Sequence, residues 1–247
     1  MKSVLLKSLA VIGLYPNILI AANPFKIYEF KELLKGVVFS PQDTVLDIGC
    51  GVGLQTLLLG KRCHRVIGTD VSDQVLAQAA RKAGYLGKSN NCQFVNLNLE
   101  NSSLPAESLD KAFSICVLEH IPNYKSVLQQ VHRSLKKGGQ LILSVDALST
   151  IKDAELVAKH RREYQVVKYF NASELTHLLE ETGFRDVQVY PIFCSNFARD
   201  LFSRGIRNGF RYGILEALIS YLFLRHHEAN GAPEDQGIFL VAKCRKN

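Results

Sequence analysis

The stretch Val45–Gly53, VLDIGCGVG, constrains this chain more than any other. Val45, Leu46 and Ile48 read as a strand buried on both faces. Gly49, Gly51 and Gly53 then follow at alternate positions. Glycines there let the chain turn sharply and let backbone N–H groups approach a ligand closely. The next helix is expected to start near Val52, so its positive end points at the same place. In an open parallel sheet, ligands bind at the carboxyl ends of strands near the switch point. Asp47 sits at that edge, where it can meet a cation or a hydrogen-bond donor. A loop built only for phosphate needs no such carboxylate. The pattern therefore suits a ligand with both an anionic and a cationic group, such as an amino-acid moiety.

Along the rest of the chain, apolar runs alternate with helical patterns, the signature of βαβ units and a parallel sheet. Strands are expected at Thr44–Ile48, Arg65–Asp70, Gln93–Leu97, Lys111–Val117, Gln140–Val145, Val187–Phe193 and Gly237–Cys244. Helices are expected at Leu54–Lys61, Ser72–Ala83, Tyr124–Lys136 and Ala172–Thr182. Asn23-Pro24 reads as N-cap and first turn of a further helix reaching about Lys35. Asn171–Glu174 is a capping box, and Gly138-Gly139 and Gly183 are helix stops. The 247 residues suit one α/β domain with additions, and 47% apolar content is enough for a sizeable core. Two segments exceed what a minimal domain needs: Ala147–Phe170, and Ser195–Gln236 between the last two strands. Both are expected to carry helices.

The second strand ends at Asp70, 21 residues after Gly49. That offset puts a carboxylate at the tip of the neighbouring strand, where it can accept from both hydroxyls of a ribose. The dinucleotide fingerprint needs Gly or Ala at the sixth position from Gly49, and Leu54 stands there. The GxGxG arrangement with a preceding Asp instead resembles the class I S-adenosylmethionine-dependent methyltransferases. LEHIP (Leu118–Pro122), SLKKGGQLILSVD (Ser134–Asp146) and ELTHLLEETGFRDVQV (Glu174–Val189) are similar to that family's post-strand motif, fifth-strand and sixth-strand regions. The post-strand motif resembles that of its small-molecule branch, which includes quinone-biosynthesis enzymes.

The resemblance implies a Rossmann-like doubly wound α/β sheet of seven strands, mostly parallel with one antiparallel strand. It implies S-adenosyl-L-methionine as cofactor. Asp47, Gly49 and Gly51 would hold its methionine part, Asp70 its ribose, and Val71 its adenine. Asn98 and Leu99 would flank the adenine edge, although the family usually has Asp where Asn98 stands, and Glu100 is an alternative counterpart.

Glu119 and His120 follow the fourth strand and are expected at the rim of the cofactor site. His120 is a candidate base for a phenol or acidic carbon; the pair otherwise orders the loop and caps the helix near Pro122. His160, Tyr164 and Tyr169 are candidates for an acceptor pocket, with Arg161-Arg162 on a solvated face. The insertions at about 147–170 and 195–236 leave from strand ends on the cofactor side and are read as lids on a methyltransferase domain spanning 23–247. Residues 1–22 read as an apolar, amphipathic helix that packs on the domain or lies on a membrane.

The net charge of +7 fits an anionic membrane, nucleic acid or acidic substrates without choosing among them. Tyr212–Leu224 is too short to span a bilayer. It reads as a buried lid helix, or as an interfacial helix with Arg199, Arg204, Arg207 and Arg211 toward anionic lipid. No aromatic-basic motif supports nucleic-acid binding. The six cysteines are scattered singly, without a CxxC pair or Cys/His cluster, so no metal is expected. The expected protein is cytoplasmic, with a small, apolar acceptor of quinone, lipid or polyketide type. A protein or RNA methyltransferase, or a partner protein that binds cofactor without turnover, are the competing expectations.

Overall fold

The computed structural model describes residues 23–85, 87, 90–230 and 236–247. The expected helix over residues 1–22 lies outside them. The chain begins with α1 (Pro24–Leu34), whose N-cap Asn23 accepts from Phe25 N and Lys26 N. Alternation follows: β1 (Thr44–Ile48), α2 (Leu54–Leu59), β2 (Arg65–Asp70), α3 (Asp73–Tyr85), β3 (Cys92–Asn96), β4 (Leu109–Ile115), α4 (Tyr124–Ser134) and β5 (Leu135–Asp146). Beyond it come α5 (Ala154–Tyr164), α6 (Ala172–Glu181), β6 (Arg185–Ile192), α7 (Asn196–Asn208), α8 (Ile214–Asn230) and β7 (Phe239–Arg245).

The strands form a seven-stranded sheet in the order β3-β2-β1-β4-β5-β7-β6. The first five pair in parallel, and β7 runs antiparallel to both β5 and β6. The chain moves one way from β1 through β2 to β3, then restarts on the other side with β4. The switch point lies between β1 and β4, where a crevice opens at the strand ends.

The central strands are buried on both faces, so successive residues serve different cores. Val45, Phe113, Ile142 and Val241 face one apolar cluster, which also holds Phe25 and Leu33 of α1, Leu57 of α2, Phe202 of α7 and Leu224 of α8. Leu46, Ala112, Leu141 and Ala242 face the other, filled by Val127 and Leu128 of α4 and Leu175 and Leu179 of α6.

Three expectations from the sequence are corrected, each for an identifiable reason. The helix expected to reach Lys136 ends at Ser134, because Leu135 already pairs with Leu109 across an irregularity in the β4–β5 ladder. Gly138-Gly139 therefore lie inside β5 rather than stopping a helix. Gly138 adopts φ +76°, and its N–H donates to the Lys246 carbonyl at 2.8 Å. Tyr212–Leu224 is not buried throughout. Ala217, Ser220, Tyr221 and Leu224 pack inward, while Leu215, Leu218, Ile219, Leu222 and Phe223 face out.

Candidate functional site

At the switch point the ends of β1, β2 and β4 enclose a cavity of about 350 Å³. Its walls include Ile48, Gly49, Asp70, Val71, Asn98 and Leu99, together with Glu100 and His120. Five of the seven expected cofactor residues thus share one cavity. Val71 is 66% exposed, an apolar side chain left largely uncovered.

The glycine loop has two kinds of glycine. At Gly49, with φ +62°, a Cβ would come within 2.5 Å of the Val117 side chain. At Gly51, with φ +53°, a Cβ would meet no protein atom within 4 Å. Gly49 is therefore demanded by packing, whereas Gly51 keeps open space at the loop. Asp70 ties the loop to β2. Its Oδ2 accepts from Gly51 N at 2.9 Å, and its Oδ1 accepts from Ser72 N at 3.0 Å. Each oxygen keeps a further lone-pair direction for a ligand hydroxyl.

Asp47 does not line the cavity. Period-2 alternation puts it on the same face as Val45, beneath α2, where Thr56 Oγ1 donates to its Oδ2 at 2.5 Å. It is buried, and burial raises its carboxyl pKa from the ordinary 3.8 to about 7. The Thr56 hydrogen bond opposes that rise, and the Asp70 charge adds to it. Asn98 and Glu100 both reach the cavity, and each carries one local bond. Asn98 Oδ1 accepts from Glu100 N, and Glu100 Oε1 accepts from Asn123 N, both at 2.9 Å.

The pair after β4 separates. His120 lines the cavity, with Nδ1 3.5 Å from the Gln165 carbonyl, and burial lowers its pKa. Glu119 is not at the rim. The short 3₁₀ turn over Leu118–His120 turns it inward, while its backbone carbonyl accepts from Val167 N and Lys168 N. There it joins Glu29 of α1 and Asp146 of β5, and burial holds its carboxyl well above the usual range. His160 is buried at this cluster, with Nδ1 3.1 Å from Tyr169 Oη and Nε2 3.8 Å from an Asp146 oxygen. Tyr164 packs its ring on His160, and Arg161 and Arg162 are exposed as expected. Sequence reading missed Glu29 and Asp146; a carboxylate closing an apolar strand, as Asp146 closes β5, was the available signal.

Comparison with known proteins bears on the family. Residues 46–143 match the methyltransferase domain family. A tRNA U34 carboxymethyltransferase of Alteromonas mediterranea is 30% identical over 155 residues, covering 60% of this chain and 46% of that protein. The chain thus spans about half the length of that relative. A ubiquinone biosynthesis O-methyltransferase of Nitrosomonas europaea is 28% identical over 172 residues, covering 65% of this chain and 70% of that one. Among solved structures, phosphoethanolamine N-methyltransferase 2 of Haemonchus contortus shares the fold, with TM-score 0.66 at 19% identity, over 89% of this chain and 52% of the other. The domain match runs from β1 into β5, and a solved methyltransferase has the same fold.

Proposed function

We propose that this protein transfers the methyl group of S-adenosylmethionine to a small, largely apolar acceptor. The observation that carries the reading is the cavity at the switch point, where a carboxylate, an open glycine loop and a largely uncovered valine converge. The donor set fits the cofactor. Asp70 accepts from the ribose hydroxyls, Val71 and Leu99 cover the adenine, and Asn98 or Glu100 accepts from its edge. Gly49 and Gly51 bring the backbone against the methionine part, with Asp47 beneath the loop supplying negative potential.

The bound cofactor supplies an activated methyl, so the protein's task is alignment of donor and acceptor and exclusion of water. His120 is the residue placed to receive a proton from an acceptor hydroxyl or acidic carbon. With Nδ1–H turned to the Gln165 carbonyl, Nε2 is left as the acceptor. α5 and α7 pack through the aromatic cluster of Tyr164, Phe202 and Phe210, α8 packs on α7 through Phe223 and His227 against Phe197, and the three helices form the substrate-selecting lid.

The two loop glycines give a paired prediction. Gly51→Val should abolish measurable cofactor binding in calorimetry, because its side chain fills the space left for the ligand. The fold should persist with a backbone strain of roughly 1–2 kcal/mol. Gly49→Ala should instead lower thermal stability by displacing Val117. Equal cofactor affinity in Gly51→Val and wild type would remove the loop from the site.

Acceptor class is tested by incubating the protein with tritiated cofactor and fractionated cell extract. Label is expected in the solvent-extractable fraction. The tRNA carboxymethyltransferase relatives and the charge of +7 favour RNA as the competing acceptor. Label in RNA, with salt-steep RNA binding, would replace the small-molecule reading.

An apolar acceptor dissolved in membrane needs a route to the site, and α8 offers a surface for it. Leu215, Leu218, Ile219, Leu222 and Phe223 follow i, i+3, i+4, i+7, i+8 spacing and form one exposed apolar stripe. Leu215 is 72% and Leu222 60% exposed. Arg204, Arg211 and Arg225 are exposed on or beside this helix, which matches an anionic lipid surface. No helix among the described residues is long and apolar enough to cross a membrane. The proposed contact is therefore peripheral. Wild-type protein should sediment with phosphatidylglycerol vesicles at low salt, with only part of the binding lost at high salt. Leu218→Glu with Leu222→Glu should weaken this by about a hundredfold or more. Unchanged sedimentation, or no binding by wild type, would remove the membrane and leave the lid.

A further inference from the structure

Beside the cofactor cavity the fold gathers groups that are distant in sequence. Cys116 and Glu119 follow β4, and Asp146 ends β5. Among the described residues, one ligand atom from each of these three lies within 4.8 Å of the other two. Glu119 is 0% exposed, and neither of its carboxylate oxygens has a hydrogen-bond partner. A buried, unpartnered carboxylate costs several kcal/mol, so it calls for an explanation.

The neighbours do not supply one. Lys26 Nζ donates to Glu29 Oε2 at 2.9 Å; its charge also acts on Cys116, Glu119 and Asp146, but it makes no hydrogen bond to Glu119. The other Glu29 oxygen accepts from Ser144 Oγ at 2.6 Å and from the Cys116 thiol at 2.9 Å. His160 is held by Tyr169. What is left is two acidic side chains and a sulfur facing one another, with Asp146 also buried.

Three atoms within 4.8 Å of one another lie at most about 2.8 Å from a common point, so an inward shift of a few tenths of an ångström brings all three to metal–oxygen or metal–sulfur bonds of ~2.0–2.4 Å. Both carboxylates are buried and the sulfur is half-buried, which suits a bare ion rather than an organic ammonium group. We propose that Cys116, Glu119 and Asp146 bind a single divalent transition-metal ion of the Zn²⁺ or Fe²⁺ class. The sulfur ligand selects such ions over Mg²⁺ and Ca²⁺. On binding, the Cys116 thiol proton leaves to solvent, and the freed thiolate forms the bond to the ion. Three protein ligands leave a fourth coordination position open. Val117 and His120 flank this cluster in sequence and line the cofactor cavity. The ion therefore stands at the acceptor side of that cavity, a placement that rests on the methyltransferase reading; the ligand set does not. Sequence reading expects no metal because it looks for Cys and His at short spacing, whereas these ligands meet only when β4 and β5 pair.

Co²⁺ titration of the full chain, stripped with chelator, tests this by absorption spectroscopy. Wild type should bind one Co²⁺ with a thiolate-to-cobalt charge-transfer band. Cys116→Ser should lose the band, and Glu119→Gln should bind Co²⁺ about a hundredfold more weakly or less. Both should keep wild-type affinity for S-adenosylhomocysteine in calorimetry, which shows that the fold survives. If either variant fails to fold, Asp146→Asn takes its place and should likewise weaken Co²⁺. Absence of Co²⁺ binding by wild type, a band that survives Cys116→Ser, or unchanged affinity in the carboxylate variants would overturn the site. Failure of wild type to bind S-adenosylhomocysteine would instead overturn the cofactor reading and leave the cobalt result standing.

Discussion

Asp47→Asn is expected to make the cofactor-free protein more stable above neutral pH and less able to bind S-adenosylmethionine. Asp47 is buried with a carboxyl pKa of about 7, against 3.8 when unperturbed. The folded state therefore holds its proton to higher pH than the unfolded chain does. Between about pH 4 and pH 7 the folded state binds more protons, so stability falls as pH rises and levels off above the folded pKa. Three pKa units correspond to about 4 kcal/mol, a ceiling that local relaxation reduces. Asparagine removes this penalty while its carbonyl still accepts from Thr56. The gain in melting temperature should be largest above pH 7 and vanish below about pH 4. Cofactor affinity should fall by roughly tenfold, since a unit charge several ångströms from a cationic ligand contributes on the order of 1–3 kcal/mol. Thermal melts across pH with parallel calorimetry check both halves. A variant no more stable than wild type at pH 8 would mean that Asp47 carries no buried penalty. Unchanged affinity would confine it to loop packing.

Asp70→Ala is expected to lose ten- to a hundredfold in cofactor affinity, the worth of about 1.5–3 kcal/mol of charge-assisted hydrogen bonding. The same carboxylate holds Gly51 N and Ser72 N, so alanine frees the loop as well as the ribose. Asp70→Asn should lose less than alanine. Its amide keeps one acceptor but turns an N–H₂ toward the other backbone donor, so the gap between the two variants should be modest. Titration of both proteins, with melts in the absence of cofactor, separates the ligand contact from loop anchoring. Full affinity in the alanine variant would remove Asp70 from the ribose.

β1 and β2 were legible to the residue because each carries an apolar run closed by a glycine loop or an aspartate. Gly49 and Asp70 were legible for a related reason: their offset within one βαβ unit nearly fixes their spacing in space. Val71, Asn98 and Leu99 were expected from the family resemblance alone. Glu119 was not. A helical turn starting one residue earlier or later decides whether it or its neighbour meets the cavity, and only tertiary packing sets that phase. The partnership of Glu119 with Asp146 depends on the register of β4 against β5, which no local pattern encodes. The exposure of α8 escaped because both of its faces are apolar, so periodicity could not say which one the protein covers.

The antiparallel β7 has a consequence for how the molecule assembles. It fills the gap between β5 and β6, pairing Gln140 with Arg245 roughly a hundred residues later. During synthesis the sheet therefore stays split until its last strand leaves the ribosome. Until then β5 and β6 each present an unsatisfied ladder to the surrounding solution. Long-range closure of this kind is slow. The vulnerable period is the interval before β7 docks, when intermolecular pairing competes with completion of the sheet. Loss of residues 239–247 would prolong that interval indefinitely, and a chain shortened there should accumulate as aggregate even though every residue lining the cofactor cavity is intact.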